Sequence, residues 1–457
     1  MIIDFEEILA DQAEFFDSLQ TKSVEFRLKQ LKILRSAVLK FEDKIYEALY
    51  NDLHKSKVEA YTSEIGLVLK EISHFQKNLK KWAKPQHVKS PWLFPLSKSR
   101  IYPEPYGKVL IISPWNYPFG LSITPVIAAI AAGNTVVLKP SRISANTSRV
   151  MLDMIESAFE PEYIHVIKTD AENSREVLKH KFDYIFFTGS ERVGKIVMKK
   201  AAEDMTPVTM ELGGKSPCII DKYCNLGKMA RRIVYGKFLN CGQTCIAPDY
   251  LFVHQDIKDK LIEKIKIKIR EFYGTDPQKS PDYGRIISKE HFEKLTKLFK
   301  ETKLILGGKH NIEELYFEPT LIEGDEKAPV MQEEIFGPIL PVFTFTETSE
   351  LTNFITIRPK PLALYVFSSN KKFQDEILHK TSSGAAVVND TVIHFANEHL
   401  PFGGVGNSGM GQYHGKAGFQ TFSHHKSVMT NTNLFEIPKR YPPADKSTLK
   451  ILKWLVK

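Results

Sequence analysis

Asn240-Cys241-Gly242-Gln243-Thr244-Cys245 places a thiol at the end of a polar, glycine-bearing loop. A cysteine thiolate attacks carbonyl carbon readily, and the resulting thioester is open to hydrolysis. By itself, however, a loop cysteine is more often inert than catalytic. Met210-Glu211-Leu212-Gly213-Gly214-Lys215 sets a carboxylate before a double-glycine turn. Partial burial there would raise its pKa toward that of a useful general base, although a hinge residue held by backbone amides fits equally well.

Gly189-Ser-Glu-Arg-Val-Gly194-Lys195 satisfies G-x-x-x-x-G-K, but the next residue is Ile196 where a P-loop needs Ser or Thr for magnesium. What survives is a strand, then Thr188-Gly189-Ser190, then a helix N-terminus, a seat for a pyrophosphate or an ordinary glycine turn. Gly404-Val-Gly406-Asn-Ser-Gly409 matches G-x-G-x-x-G without a preceding strand or a following helix, so it reads as a glycine-rich loop. Cys218, Cys224, Cys241 and Cys245 are spaced C-x5-C-x16-C-x3-C, without the C-x2-C knuckles of a zinc ribbon, and no residue is assigned to a metal. Four cysteines in 457 residues fit a reducing, cytoplasmic setting rather than a disulfide scaffold.

Around these residues the pattern calls for an α/β protein. Apolar residues recur at helical spacing through 5–82, as in Phe26, Leu28, Leu31, Leu34 and Val38. The stretch 85–105 is rich in Pro, Lys and Ser and reads as an extended arm. From 108 onward, short apolar strands (109–112, 135–138, 163–167, 184–187) alternate with helices, implying a parallel sheet covered on both faces. A second set follows at 218–220, a helix near 226–239, a strand at 250–253 and a helix at 257–272, implying a second such domain. The tail beyond Thr421 reads as polar and extended.

The uncharged run 109–138 is broken by Pro114, Pro118, Pro125 and Gly133, and the apolar run 451–456 is too short to span a bilayer, so no membrane partner is expected. The net charge of +9 is spread over amphipathic segments, which argues against a nucleic-acid partner.

Taken together, Pro114-Trp-Asn-Tyr-Pro118, Lys139-Pro-Ser141, Phe187-Thr-Gly-Ser190, Glu211-Leu-Gly-Gly-Lys215, Gly242-Gln-Thr-Cys245, Glu334-Ile-Phe-Gly-Pro338 and Pro401-Phe-Gly-Gly404 resemble the signature segments of the aldehyde dehydrogenase family, in order from about 106 to about 427. Lys360-Pro-Leu-Ala-Leu-Tyr365 and the loop 403–411 resemble its class 3 branch. The resemblance implies two doubly wound parallel-sheet domains plus a small bridging arm: a dinucleotide-binding domain at 1–84 and 106–210, a catalytic domain at 211–421, and an arm and tail at 85–105 and 422–457 that complete a homodimer.

It also implies oxidation of a medium-chain aliphatic or aromatic aldehyde to the acid with NADP or NAD. Cys245 would be the nucleophile, Asn116 the oxyanion donor with the Cys245 amide, and Glu211 the base for hydrolytic water. Lys139 would hold the adenosine ribose, Ser190 the pyrophosphate, and Glu334 with Phe336 the nicotinamide end, with Trp115 and Gly189 completing the cofactor set. An apolar tunnel would include Tyr117, Ile393, His394 and Phe395. The family commonly has Glu three residues after the strand-end lysine; here it is Arg142, whose guanidinium can bind a 2′-phosphate, so NADP acceptance is expected unless Arg142 points into solvent.

Overall fold

The computed structural model describes residues 5–92, 94, 96–168, 176–300, 302–434, 436, 440–443 and 446–455. Val456 of the apolar run and the first four residues lie outside them. By compactness the chain divides into one unit of 1–83 with 104–424 and a second of 84–103 with 425–457.

The first unit holds two sheets. Its six-stranded sheet runs Gly409–Met410, Val208–Glu211, Tyr184–Thr188, Lys108–Ile112, Thr135–Lys139, Ile164–Val166, parallel throughout except for the first strand. Every residue of Tyr184–Thr188 is buried, as expected of a strand covered on both faces. From Lys108–Ile112 the chain adds strands outward on one side, then returns to add Tyr184–Thr188 and Val208–Glu211 on the other. This reversal leaves a crevice at the carboxyl ends of Lys108–Ile112 and Tyr184–Thr188, where open α/β sheets bind ligands.

The seven-stranded sheet has the order Leu304–Leu306, Thr320–Glu323, Ile339–Phe345, Tyr250–His254, Pro217–Ile220, Ala363–Phe367, Ala385–Val388, parallel except for its first strand.

Of the helical lead-in, Phe5–Asp17 packs against the strand Lys108–Ile112, and Val24–Leu53 packs on the helices Gly120–Ala132 and Ala145–Glu156. Ser23 caps Val24–Leu53 by accepting the Phe26 amide, and Leu31, Leu34, Val38, Phe41, Ile45 and Leu49 form its buried stripe. Gly66–Trp82 follows a π-helical turn, Tyr61–Ile65.

In the second unit, Gln86–Val88 pairs antiparallel with Lys98–Pro105, and Ser423–Thr430 completes a three-stranded sheet. The tail departs from its expected extended form, because Lys446–Leu455 is a helix. Lys446, Lys450 and Lys453 recur at one-turn spacing on one of its sides, a period that is easily overlooked in ten residues.

Candidate active site

Three consecutive left-handed residues turn the chain toward Cys245. Asn240 and Cys241 have φ of 52° and 54°, and Gly242 has φ of 75°. For the two non-glycine residues this conformation costs on the order of 1 kcal/mol each, so something must hold it. The Asn240 amide donates to the Glu59 carboxylate at 2.9 Å, and Asn240 Nδ2 donates to the carbonyls of Asn116 (2.7 Å) and Gln243 (3.1 Å). Gln243 is bracketed in turn: its Nε2 donates to the Asn240 and Arg285 carbonyls, and its Oε1 accepts the Ile287 amide. Gly242 faces the Gly337 carbonyl so closely that a Cβ would collide with it.

Asn116 comes from the loop after Lys108–Ile112. It is 3% exposed and one N–H of its side-chain amide donates to the Gln243 carbonyl at 3.1 Å, leaving the other to be directed elsewhere. Its loop is fixed by a buried ion pair, Lys55 to Glu64 at 2.6 Å. Lys55 also donates to the Asn116 carbonyl at 3.1 Å and lies 3.9 Å over the Tyr117 ring. The other oxygen of Glu64 accepts the Phe119 and Gly120 amides at 2.9 and 3.0 Å.

Glu211 ends its strand 2% exposed, with neither carboxylate oxygen hydrogen-bonded. Burial alone pushes its pKa well above the usual carboxyl value. Glu334 rises to about 8, through burial and then the charge of Asp249, opposed by the Gly214 amide and Lys215. Burial, then Glu334 and Glu211, pushes the half-buried Cys245 thiol up as well. Cys241 is fully buried against Tyr283 Oη at 3.4 Å, and burial pushes its thiol up to about 12.

The Glu334 loop is anchored by Lys215, which contacts Asp249 and donates to the carbonyls of Val330 (2.8 Å) and Glu333 (2.9 Å). Phe336, at φ 55°, packs edge-on to Trp115 with ring centroids 5.2 Å apart, and His291 Nε2 meets its carbonyl at 2.8 Å.

These groups meet in one cleft of about 650 Å³, lined by Trp115, Asn116, Gly189, Ser190, Glu211, Cys245, Glu334 and Phe336 among others. A match to the "Aldehyde dehydrogenase family" over residues 3–428 decides what it is. The chain belongs to the aldehyde dehydrogenase family.

It is 48% identical to a 4,4'-diaponeurosporen-aldehyde dehydrogenase of Staphylococcus aureus over 95% of both chains. It is 44% identical to a dimeric NADP-preferring aldehyde dehydrogenase of Canis lupus familiaris, covering 94% of this chain and 95% of that one. A solved substrate-bound structure of Staphylococcus aureus AldH superposes with a TM-score of 0.97 at 46% identity, over 100% of both chains. Like its family, this aldehyde dehydrogenase is an NAD(P)-dependent enzyme that oxidises an aldehyde to a carboxylic acid.

The cleft of this aldehyde dehydrogenase suits a dinucleotide. Ser190 caps Glu191–Glu203 by accepting the Val193 amide, so the positive end of that helix opens onto the cleft. Thr188 Oγ1 and both Glu211 oxygens are buried there without partners, and Arg192 and Lys360 add positive charge. Lys195 of the P-loop-like motif instead faces solvent, 70% exposed and paired with Glu191. Lys139 and Arg142 are not among the lining residues: Lys139 is half-buried at its strand end, and Arg142 is exposed beside it.

The expected tunnel residues also lie off the cleft. Tyr117 Oη bonds Thr244 Oγ1 at 2.6 Å, Ile393 is 53% exposed, and His394 and Phe395 join an aromatic cluster with Phe402 and His414. Sequence reading assigned no role to Lys55, Glu64, Asn240, Lys215, Asp249 or His291. Lys215 and Asn240 fell inside quoted segments, whereas the others carry no local pattern.

Proposed function

We propose that this enzyme oxidises a medium-chain aliphatic or aromatic aldehyde through a thioester on Cys245, with Asn116 stabilising the oxyanion and Glu211 activating the hydrolytic water. The observation that carries this reading is Glu211, whose two unpartnered carboxylate oxygens share one cleft with Cys245 and Asn116. Burial, and then the neighbouring carboxylates, oppose ionisation of the Cys245 thiol, so its proton must leave as the sulfur attacks; a carboxylate whose pKa burial has raised is a fitting acceptor. The attack gives a thiohemiacetal whose oxygen the free N–H of Asn116 and the Cys245 amide would hold. The bound nicotinamide supplies the hydride acceptor. Glu211 passes the thiol proton to solvent, then takes a proton from water as that water attacks the thioester carbonyl; collapse releases the acid, and the proton on Glu211 returns to the departing thiolate.

Lys139, Arg142, Gly189, Ser190, Trp115, Glu334 and Phe336 are proposed to hold the cofactor. Lys139 is depressed by burial and by the charge of Arg142, and neither cation has an acidic partner among the described residues. Two adjacent uncompensated cations suit a 2′-phosphate, so NADP is proposed to be well accepted. Replacing Arg142 with Glu should shift the ratio of catalytic efficiencies toward NAD, and an unchanged ratio would sink that assignment.

The proposed domain roles are dinucleotide binding for 1–84 with 106–210, catalysis for 211–421, and bridging for 85–105 with 422–457. A cytoplasmic homodimer is proposed with them, supported by the dimeric relative. No described helix is long and apolar enough to cross a membrane.

The test is reduction of NADP and NAD, side by side, with hexanal, benzaldehyde and 4,4'-diaponeurosporen-aldehyde, against Cys245→Ala. Reduced cofactor that vanishes in the variant supports the thioester route; equal rates in both proteins overturn it.

A further inference from the structure

Away from the catalytic cleft, three donor side chains converge where the segment following Ile393–Ala396 crosses the helix Gly66–Trp82. His74 comes from the helix, and Glu398 and His399 come from the segment. Each offers one donor atom, and all three atoms lie within 4.8 Å of one another. The His74 and His399 rings meet edge-on with centroids 5.2 Å apart. In sequence these residues share no motif, since His74 is separated from the other two by most of the chain; only the fold makes them a set.

Two imidazoles and a carboxylate are the donor set of an open zinc site, three protein ligands with water in the remaining position. The same set also accepts nickel and copper, and is too nitrogen-rich for calcium or magnesium.

The surroundings favour occupancy in two ways. Lys70 holds Glu398 at 2.6 Å and the Ala396 carbonyl at 3.0 Å, so the carboxylate is already fixed at the crossing, as ligating carboxylates are by an outer hydrogen bond. Glu71, one residue further along the helix, accepts the Gly415 amide at 2.7 Å and braces the chain beneath. Opposing this, the Lys70 ammonium repels a cation, which sets the affinity in a moderate range. Donors of a tetrahedral zinc stand about 3.4 Å apart, so the cluster must close by roughly 1 Å, a shift that the exposed His399 side chain can make.

We propose that His74, Glu398 and His399 form a binding site for a divalent cation of the zinc class, which ties the segment 397–400 to the helix Gly66–Trp82. The tie stiffens the chain that carries Phe395, whose ring packs 4.5 Å from that of His414, and that leads into Pro401-Phe402-Gly403-Gly404.

The Trp82 ring lies 5.3 Å from that of His74, which supplies an optical probe, because nickel bound there quenches indole emission. The full chain, without a histidine tag and with Cys245→Ala so that the catalytic thiol takes no metal, is titrated with zinc chloride by calorimetry and with nickel chloride by fluorescence. One zinc per chain is expected, with affinity falling by more than about tenfold in His399→Ala and in Glu398→Gln. Trp82→Phe should lose the quenching by nickel while keeping the heat of zinc binding. His399 is exposed, so its replacement leaves the fold intact. Absence of zinc binding in the parent, or binding that survives both ligand replacements unchanged, overturns the site.

Discussion

Glu211 is buried with two unpartnered oxygens, an arrangement that costs stability and is retained where chemistry needs it. Glu211→Gln should therefore slow steady-state turnover by about a hundredfold or more. A first turnover of reduced cofactor should be slowed but still complete, leaving an acyl adduct on Cys245 visible by intact mass; steady turnover with no such adduct accumulating would move Glu211 out of the hydrolytic step.

Glu334 gives a prediction in pH. Its folded pKa is about 8 against an ordinary 4.5, so between those values the folded state keeps a proton that the unfolded chain releases, and stability falls as pH rises through that window. The melting-temperature advantage of Glu334→Gln over the parent should grow from 4.5 to about 8 and vanish below 4.5; a pH-independent gap would contradict this.

At this scale the proposed site was partly legible: Cys245, Glu211, Asn116 and Glu334 sit in short motifs whose residue types already suggest a chemistry, and the fold brings them to one cleft. Glu59, which holds Asn240 in place, was not, because its partner lies far off in sequence.

At the scale of elements, the catalytic loop depends on its left-handed turn. Gly242→Ala places a Cβ against the Gly337 carbonyl at φ 75°, and the chain must shift to admit it. The expected result is a folded protein whose thiol reacts poorly with aldehyde, read as a loss of kcat of about tenfold or more with NADP binding retained. Unchanged kcat would show that the turn tolerates the displacement.

The lead-in matters in the same way. Lys55→Met leaves Glu64 charged and buried, which costs about 3 kcal/mol, and it removes one hydrogen bond from the Asn116 carbonyl. Both the thermal midpoint and kcat/KM should drop; a stable variant with full activity would contradict the anchoring role. Alternation of strands and helices revealed the sheets because uncharged strands buried on both faces carry their own signature. The helix Lys446–Leu455 escaped because a ten-residue amphipathic pattern rich in lysine resembles polar tail.

For the whole molecule, the order of the parallel strands creates the crevice, and five of the seven motifs, scattered from 114 to 338, contribute residues to its lining. The sequence showed which motifs belong together, but not that Lys139 and Arg142 stand outside the cleft lining, since depth in a crevice has no local pattern. Sedimentation of the pure protein at micromolar concentration should give twice the chain mass, and a single-chain mass would end the proposal of a homodimer.

The buried Lys55–Glu64 pair reaches further. It joins the helical lead-in to the loop that carries Asn116, so the two cannot be exchanged separately. A chimera that draws residues 24–82 from a relative with other side chains at 55 and 64 would inherit a complete set of catalytic residues and still misplace Asn116. Transferring the pair along with the loop it supports should restore the enzyme, which makes the helical lead-in part of the unit of exchange in any recombination of this scaffold.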